Sequence, residues 1–244
     1  MPEKFNFLGL PFDNHTMQEA LGAMEGFIAS GKPHKIYTPT AELIVRSQYD
    51  EFLKGVYSSS DLLTLDSYVV YYSARLFGKP VKEPVSAARL MLEFLKVADV
   101  KKYRIYLLGA KKDVVEKTKE NIQNQYPGIV VAGYHDGYFD FNNDTEVVKD
   151  IINAKPDVLF LAMTSPMKES FVAKNFDIIN VPVSLGVGGT FDIIAGKTKL
   201  APEWISKLGL EWLYRLLQEP GRMWKRYLIT NTKFIILLTK EVLK

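Results

Sequence analysis

What most constrains the fold of this chain is an alternation: short runs rich in β-branched and aromatic residues, each followed by a stretch with apolar residues at helical spacing. The strand candidates are Lys35 to Thr38, Leu62 to Leu65, Arg104 to Leu108, Ile129 to Tyr134, Asp157 to Met163 and Pro182 to Gly186. Helical periodicity covers Thr16 to Ser30, Ala41 to Val56, Tyr68 to Phe77, Ala87 to Val97, Asp113 to Gln125, Thr145 to Asn153 and Met167 to Asn175. Strands followed directly by helices pair in parallel through crossovers, so the expected class is α/β: a Rossmann-like, mostly parallel sheet with helices on both faces. Ligands of such sheets sit beyond the carboxyl ends of the strands. Those ends are Thr38-Pro39-Thr40, Asp66-Ser67, Gly109-Ala110, Tyr134 to Tyr138, Thr164 to Glu169 and Gly186 to Asp192. In a single open sheet they converge on one crevice suited to a nucleotide.

The chain has 244 residues, 47% of them hydrophobic, enough for the core of one large or two small units. It contains no cysteine, which excludes disulfides and thiolate chemistry and makes a reducing cytoplasm the simplest home. The start, Met1-Pro2-Glu3-Lys4-Phe5, lacks the basic-then-apolar order of a secretory signal, and no run of about eighteen apolar residues is present to span a bilayer. His15, His34 and His135 lie far apart and no Asp-x-Asp occurs, so neither a metal nor another cofactor is expected.

Gly109 closes one strand, and Gly186, Gly188 and Gly189 close the last, where a missing side chain lets backbone N–H groups approach phosphate or ribose. Tight turns alone also account for these glycines. Neither place matches Gly-x-Gly-x-x-Gly, and no phosphate loop ending in Gly-Lys-Ser/Thr exists, which argues against nicotinamide-type binding.

The formal net charge of +3 hides an asymmetry. From Lys197 onward ten Lys and Arg face four Asp and Glu, a balance of +6, whereas the 21 cations and 24 carboxylates of residues 1–196 give −3. The expected organisation is therefore an α/β catalytic body, 1–196, and a basic, amphipathic helical appendage, 197–244. The appendage presents Trp204, Ile205, Leu208, Leu210, Trp212, Leu213, Leu216 and Leu217 over about four helical turns. It either packs on its own domain or lies at an anionic membrane surface, with Trp212, Trp224 and Tyr227 as headgroup-level aromatics. Tryptophans and large aliphatics fit lipid better than nucleic acid. Arg215 and Arg222 are candidates to neutralise a diphosphate bidentately without a divalent ion.

The segments Gly186-Val187-Gly188-Gly189-Thr190-Phe191-Asp192, Ala201-Pro202-Glu203-Trp204, Gly209-Leu210-Glu211-Trp212, Arg215-Leu216, Glu219-Pro220 and Arg226-Tyr227 closely resemble the WecG/TagA/CpsF glycosyltransferases of bacterial cell-surface polymer synthesis. Further landmarks are Leu107-Leu108-Gly109, Tyr126-Pro127-Gly128 and Gly137-Tyr138-Phe139, so the resemblance spans nearly the whole chain. It implies an inverting, metal-independent transfer from a UDP-sugar (an N-acetylhexosamine, hexose or uronic acid) to a polyprenyl-diphosphate-linked glycan. The implied place of action is the inner face of the cytoplasmic membrane, with the enzyme peripherally attached and an oligomer compatible.

On the residues alone Asp66 reads first as a helix cap before Ser67 and Tyr68; carried over residue by residue, the resemblance reverses this and implies that Asp66 is the general base. The family's Thr-x-Asn-x-Glu falls on Thr38-Pro39-Thr40-Ala41-Glu42, keeping Thr38 and replacing asparagine with Thr40 at expected sugar contacts. Its Pro-x-Gln-Glu falls on Pro166-Met167-Lys168-Glu169, with Lys168 in place of the amide; Glu169 also reads as a helix first-turn carboxylate. Tyr138, Val187 and Asp192 match positions expected around the uridine, beside the glycines Gly109, Gly186 and Gly189. Arg215, Arg222 and Lys225 match tail cations expected to close over the site. Two departures stand out: Asp-Gly-x-Gly is Asp66-Ser67-Tyr68-Val69 here, and Pro84 replaces an arginine for which nearby Arg89 is the substitute candidate. These losses fall on the sugar and acceptor side. They imply a different sugar or acceptor, or alternatively a catalytically altered or inactive nucleotide-sugar-binding member.

Overall fold

The computed structural model describes residues 3–243. Along the chain run β1 (Lys4–Phe7), β2 (Leu10–Asp13), α1 (Met17–Ser30), β3 (His34–Tyr37), α2 (Ala41–Ser47), α3 (Glu51–Ser58), β4 (Leu62–Leu63), α4 (Tyr68–Leu76), α5 (Ala87–Lys101) and β5 (Arg104–Gly109). They continue as α6 (Lys112–Gln125), β6 (Val130–His135), α7 (Thr145–Ala154), β7 (Val158–Ala162), α8 (Met167–Ile179), β8 (Val183–Gly186), α9 (Thr190–Ile194), α10 (Glu203–Lys207), α11 (Glu211–Gln218) and α12 (Pro220–Val242). The six strand candidates become β3 to β8, and the class is α/β. The chain forms two compact units, one from 1–17, 38–86 and 199–244 and the other from 18–37 and 87–198.

The second unit carries the parallel sheet. β3, β8, β7, β5 and β6 lie side by side, every pair parallel. β5 and β7 are buried along almost their whole length, so the pleat sends alternate side chains into different helical layers. Tyr106, Leu108, Leu159 and Leu161 join Val148, Ile151, Phe171 and Val172 of α7 and α8 in one core cluster. On the opposite face Phe160 meets Phe94 of α5 edge-on, with ring centroids 6.0 Å apart. Thr118 of α6 donates to the Phe191 carbonyl of α9 at 3.0 Å.

The first unit contains a feature absent from the sequence reading, the hairpin of β1 and β2. Its loop residues Leu8 and Gly9 have φ of 50° and 75°, as a two-residue turn of the I′ kind needs. A leucine in that region lacks the usual Asn-Gly or Asp-Gly signal. The periodic stretch 41–56 is broken in two because the Asp50 side chain accepts from Leu53 N–H at 3.1 Å and starts α3 afresh. Likewise 204–217 is not one helix. Gly209, at φ 73°, separates α10 from α11, and Pro220 opens α12. α12 packs on α2, burying Met223, Thr230 and Phe234. Among the described residues no helix is long and apolar enough to cross a membrane.

One buried polar anchor ties α7 to α8. The Asp144 carboxylate, 5% exposed, accepts from Lys174 Nζ at 2.7 Å and Asn175 Nδ2 at 2.8 Å. Burial pushes its pKa up, but the bonds from Lys174 and Asn175 outweigh that and hold it below the usual carboxylate range. A carboxyl depressed on folding stabilises at pH above its ordinary unfolded value, and that stabilisation is lost as pH falls through the lower folded value. Asp144→Ala is therefore expected to cost about 1–3 kcal/mol at neutral pH. Urea denaturation of both proteins should show the difference shrinking below about pH 4.

Candidate functional site

In the second unit the strand order reverses direction between β5 and β7, since the chain runs from β5 outward to β6 and then crosses back to β7 on the other side. Such a reversal splays the following loops apart and opens a crevice at the carboxyl ends. Gly109 stands there with φ 127°, and a Cβ on it would lie 2.5 Å from both the carbonyl carbon and oxygen of Ala162. The Ala110 N–H donates to that oxygen at 2.9 Å, and Gly137 N–H donates to the Ala110 carbonyl at 2.9 Å. The ends of β5, β7 and the β6 loop are thus pressed into a rim without side chains. Val187 N–H donates to the Leu161 carbonyl at 2.9 Å, which brings the start of the Gly-rich turn to the same edge.

Of the candidates in this unit, Gly109, Gly186 and Val187 lie at strand ends on that edge. Gly189 caps α9, and Asp192 lies in its first turn, so Asp192 is not the helix cap. Tyr138 is 74% exposed, with its N–H donating to Asp136 Oδ1 at 2.8 Å, which rules out a core role. Arg89 lies half-buried in the first turn of α5. Lys168 and Glu169 form a buried ion pair, Nζ to Oε1 at 2.8 Å. The Lys168 stem passes so close to Gly186 that a Cβ there would meet Cδ and Cε at 2.9 Å. Burial first, and the Glu169 charge second, push the Tyr37 phenol far above its ordinary range. The cation that replaces the family's amide is therefore matched by Glu169, and the pair brings no net charge to the edge. Tyr37 was not foreseen; only its place at the end of a strand candidate hinted at it.

In the first unit Asp66 follows β4 and its Oδ1 accepts from Thr38 Oγ1 at 3.3 Å. The cap position of α4 belongs to Ser67, so Asp66 is not the cap. Thr40 caps α2, accepting from Leu43 N–H at 3.5 Å, which turns its hydroxyl toward the backbone. The tail reaches this segment directly. Arg226 pairs with Glu42, Nη2 to Oε2 at 2.6 Å, which pins α12 to the helix that begins beside Thr38. Arg215 and Arg222 are drawn together by Glu219, at 4.0 Å and 2.5 Å. Lys225 is exposed on α12. Tyr227 meets Trp212 edge-on at 6.0 Å, both rings half-buried, while Trp224 is 57% exposed. Burial mainly raises the Tyr227 phenol, Arg215 and Arg226 oppose this, and Glu211 and Asp66 add to it. The i,i+3 and i,i+4 spacing about Glu219 was legible in the sequence; the partner of Arg226, 184 residues away, was not.

Comparison with known proteins finds a match to the family described as "Glycosyl transferase WecG/TagA/CpsF family" over residues 5–244. A relative from Bacillus subtilis (strain 168), named N-acetylglucosaminyldiphosphoundecaprenol N-acetyl-beta-D-mannosaminyltransferase, is 34% identical over 94% of this chain and 84% of its own length. Relatives of the same name from Bacillus spizizenii (88% and 82%) and Staphylococcus aureus strain MW2 (91% and 86%) are also 34% identical.

The glycine rim yields a direct test. Gly109→Ala forces a side chain onto the Ala162 carbonyl in a backbone conformation unfavourable to alanine, at an expected cost of about 1–3 kcal/mol. Thermal unfolding should reveal the loss as a lower melting temperature than in wild type.

Proposed function

The chain belongs to the glycosyl transferase WecG/TagA/CpsF family and is a glycosyltransferase; on that premise we propose that it transfers the sugar of a UDP-sugar, with inversion, to a polyprenyl-diphosphate-linked glycan. The relatives' names make N-acetylglucosaminyl-diphosphoundecaprenol the first acceptor to test and an N-acetylhexosamine the first donor. Their β linkage is the product of inverting an α-linked nucleotide sugar. The single observation that carries this reading is Asp66, a carboxylate at a strand end whose Oδ1 accepts from the Thr38 hydroxyl at 3.3 Å.

In the proposed step the acceptor hydroxyl gives its proton to Asp66 while its oxygen bonds to the anomeric carbon. The bond from that carbon to the diphosphate breaks, and UDP departs with the electron pair. Arg215 and Arg222, gathered by Glu219, meet its charge in the role that a divalent ion plays in other transferases. The glycine rim and Tyr138 hold the nucleotide.

The tail's proposed second role is peripheral attachment to an anionic membrane. Trp204, Leu208, Leu217, Trp224, Leu228 and Ile235 are each more than half exposed, an apolar load that a surface helix in water does not usually carry. Trp224, Leu228, Ile235 and Val242 fall within about 40° on α12, with Lys225 about 80° from the middle of that stripe and Lys233 nearly opposite it. Because the tail also supplies Met223 and Phe234 to the buried side of α12, its deletion damages the first unit itself. Point changes on the apolar stripe are the cleaner probe.

Thr40 engaged in capping and proline at 84 favour one other reading, a member with altered or lost turnover. A panel of UDP-sugars with the lipid-linked acceptor separates the two by UDP release. Asp66→Asn is expected to lower turnover about 100-fold or more with UDP affinity retained. Unchanged turnover removes Asp66 as base. Trp224→Glu with Leu228→Glu should abolish sedimentation with anionic vesicles; full retention would exclude that stripe as the membrane contact.

A further inference from the structure

α4 starts two residues after Asp66, and one of its faces is chemically unusual. At about 100° per residue, Tyr68, Tyr71, Tyr72, Arg75 and Leu76 share a face, while Val70, Ser73 and Ala74 are buried on the other. An outward face of a surface helix ordinarily carries charges and amides. Here three tyrosines cluster, Tyr68 to Tyr71 at 5.8 Å, Tyr68 to Tyr72 at 5.8 Å and Tyr71 to Tyr72 at 5.2 Å between ring centroids. Next comes a guanidinium: Arg75 Nη1 donates to the Tyr71 hydroxyl at 3.0 Å and the group lies 5.8 Å from that ring's centroid. Last comes Leu76, 81% exposed. The tail extends the apolar end, since Tyr72 donates its hydroxyl proton to the Lys207 carbonyl at 2.6 Å, beside Trp204 of α10, which is 65% exposed.

We propose that this face of α4 is the binding track for the acceptor, with the tyrosines taking its sugar, Arg75 its diphosphate, and Leu76 with Trp204 the start of its prenyl chain. The assignment rests on the lipid-linked acceptor of the proposed function. Three kinds of chemistry follow one another along the helix axis away from the base in the order in which the acceptor molecule presents them. The C–H face of a pyranose lies on aromatic rings. A guanidinium has five donors in a planar fork and binds a diphosphate bidentately; the bond to Tyr71 takes one donor and fixes the fork. From Tyr68 to Arg75 the helix rises about 10 Å, the span of one sugar ring and its phosphate linkage. Tyr68 stands where the family's pattern leaves the residue unspecified, and Ser67 and Val69 stand where it has glycines.

The test compares three acceptors: N-acetylglucosamine on undecaprenyl diphosphate, on a short-alkyl diphosphate, and as an alkyl glycoside without diphosphate. Arg75→Gln is expected to raise KM about tenfold or more for both diphosphate acceptors and to leave KM for the glycoside and the affinity for UDP unchanged. Arg75→Lys should recover part of that loss. Leu76→Glu is expected to raise KM for the undecaprenyl acceptor alone. An equal effect of Arg75→Gln on all three acceptors, or on none, would overturn the track. So would a Leu76→Glu variant that loses binding to anionic vesicles yet keeps its KM for the undecaprenyl acceptor in detergent, because the face would then be a membrane contact. Thermal unfolding at the wild-type midpoint certifies that each variant is folded. If the wild type transfers to none of the three, the proposed function falls and takes the track with it; silent variants of an active wild type sink the track alone.

Discussion

A strand buried on both faces has no place for chemistry except its ends, and the second unit follows from that constraint. β5 and β7 spend their side chains on two helical layers, Tyr106 and Leu108 toward α7 and α8, Phe160 toward α5. What remains polar at the carboxyl edge is backbone, and Gly109 makes the backbone approachable by giving up its side chain against the Ala162 carbonyl. The same economy of space sets the Lys168 stem against Gly186 and leaves its charge answered by Glu169.

The first unit solves a different problem. Its catalytic candidate sits after a strand of only two residues, so that strand alone cannot hold it rigid. Orientation comes from the surroundings: the Thr38 hydroxyl, the β1–β2 hairpin through Asp13, whose carboxylate accepts from Leu63 N–H at 2.8 Å, and α12 docked on α2. The Arg226 to Glu42 pair is half-exposed and worth about 1 kcal/mol at most, so the packing of Met223 and Phe234 must do most of the holding. The pair chooses the register; apolar burial supplies the grip.

Much of the sheet could be read from the chain because parallel strands and amphipathic helices carry strong periods, and β3 to β8 fall where those periods put them. The hairpin was invisible because Leu8 adopts a left-handed conformation that leucine seldom signals. The long helices drawn at 41–56 and 204–217 failed at Asp50 and Gly209, single residues whose capping or φ outweighs the surrounding apolar spacing. Among candidate residues, the placement of those chosen at strand ends, such as Asp66 and Gly109, was legible. Those defined by a distant partner were not: the engagement of Lys168 with Glu169 under Gly186, the capping use of Thr40, and the link from Arg226 to Glu42 all depend on tertiary placement. The mutual contact of Trp212 and Tyr227 was likewise not legible.

The first unit is assembled from three stretches of the chain, two of them near its described extremes, and the sheet-bearing unit from the two stretches that alternate with them. Arg226 and Glu42 are 184 residues apart, so closing that contact carries the entropy of a very long loop unless the intervening unit has already condensed and shortened it. A nascent chain would thus complete the sheet before α12 can dock on α2, and the surroundings of Asp66 would be the later part to close.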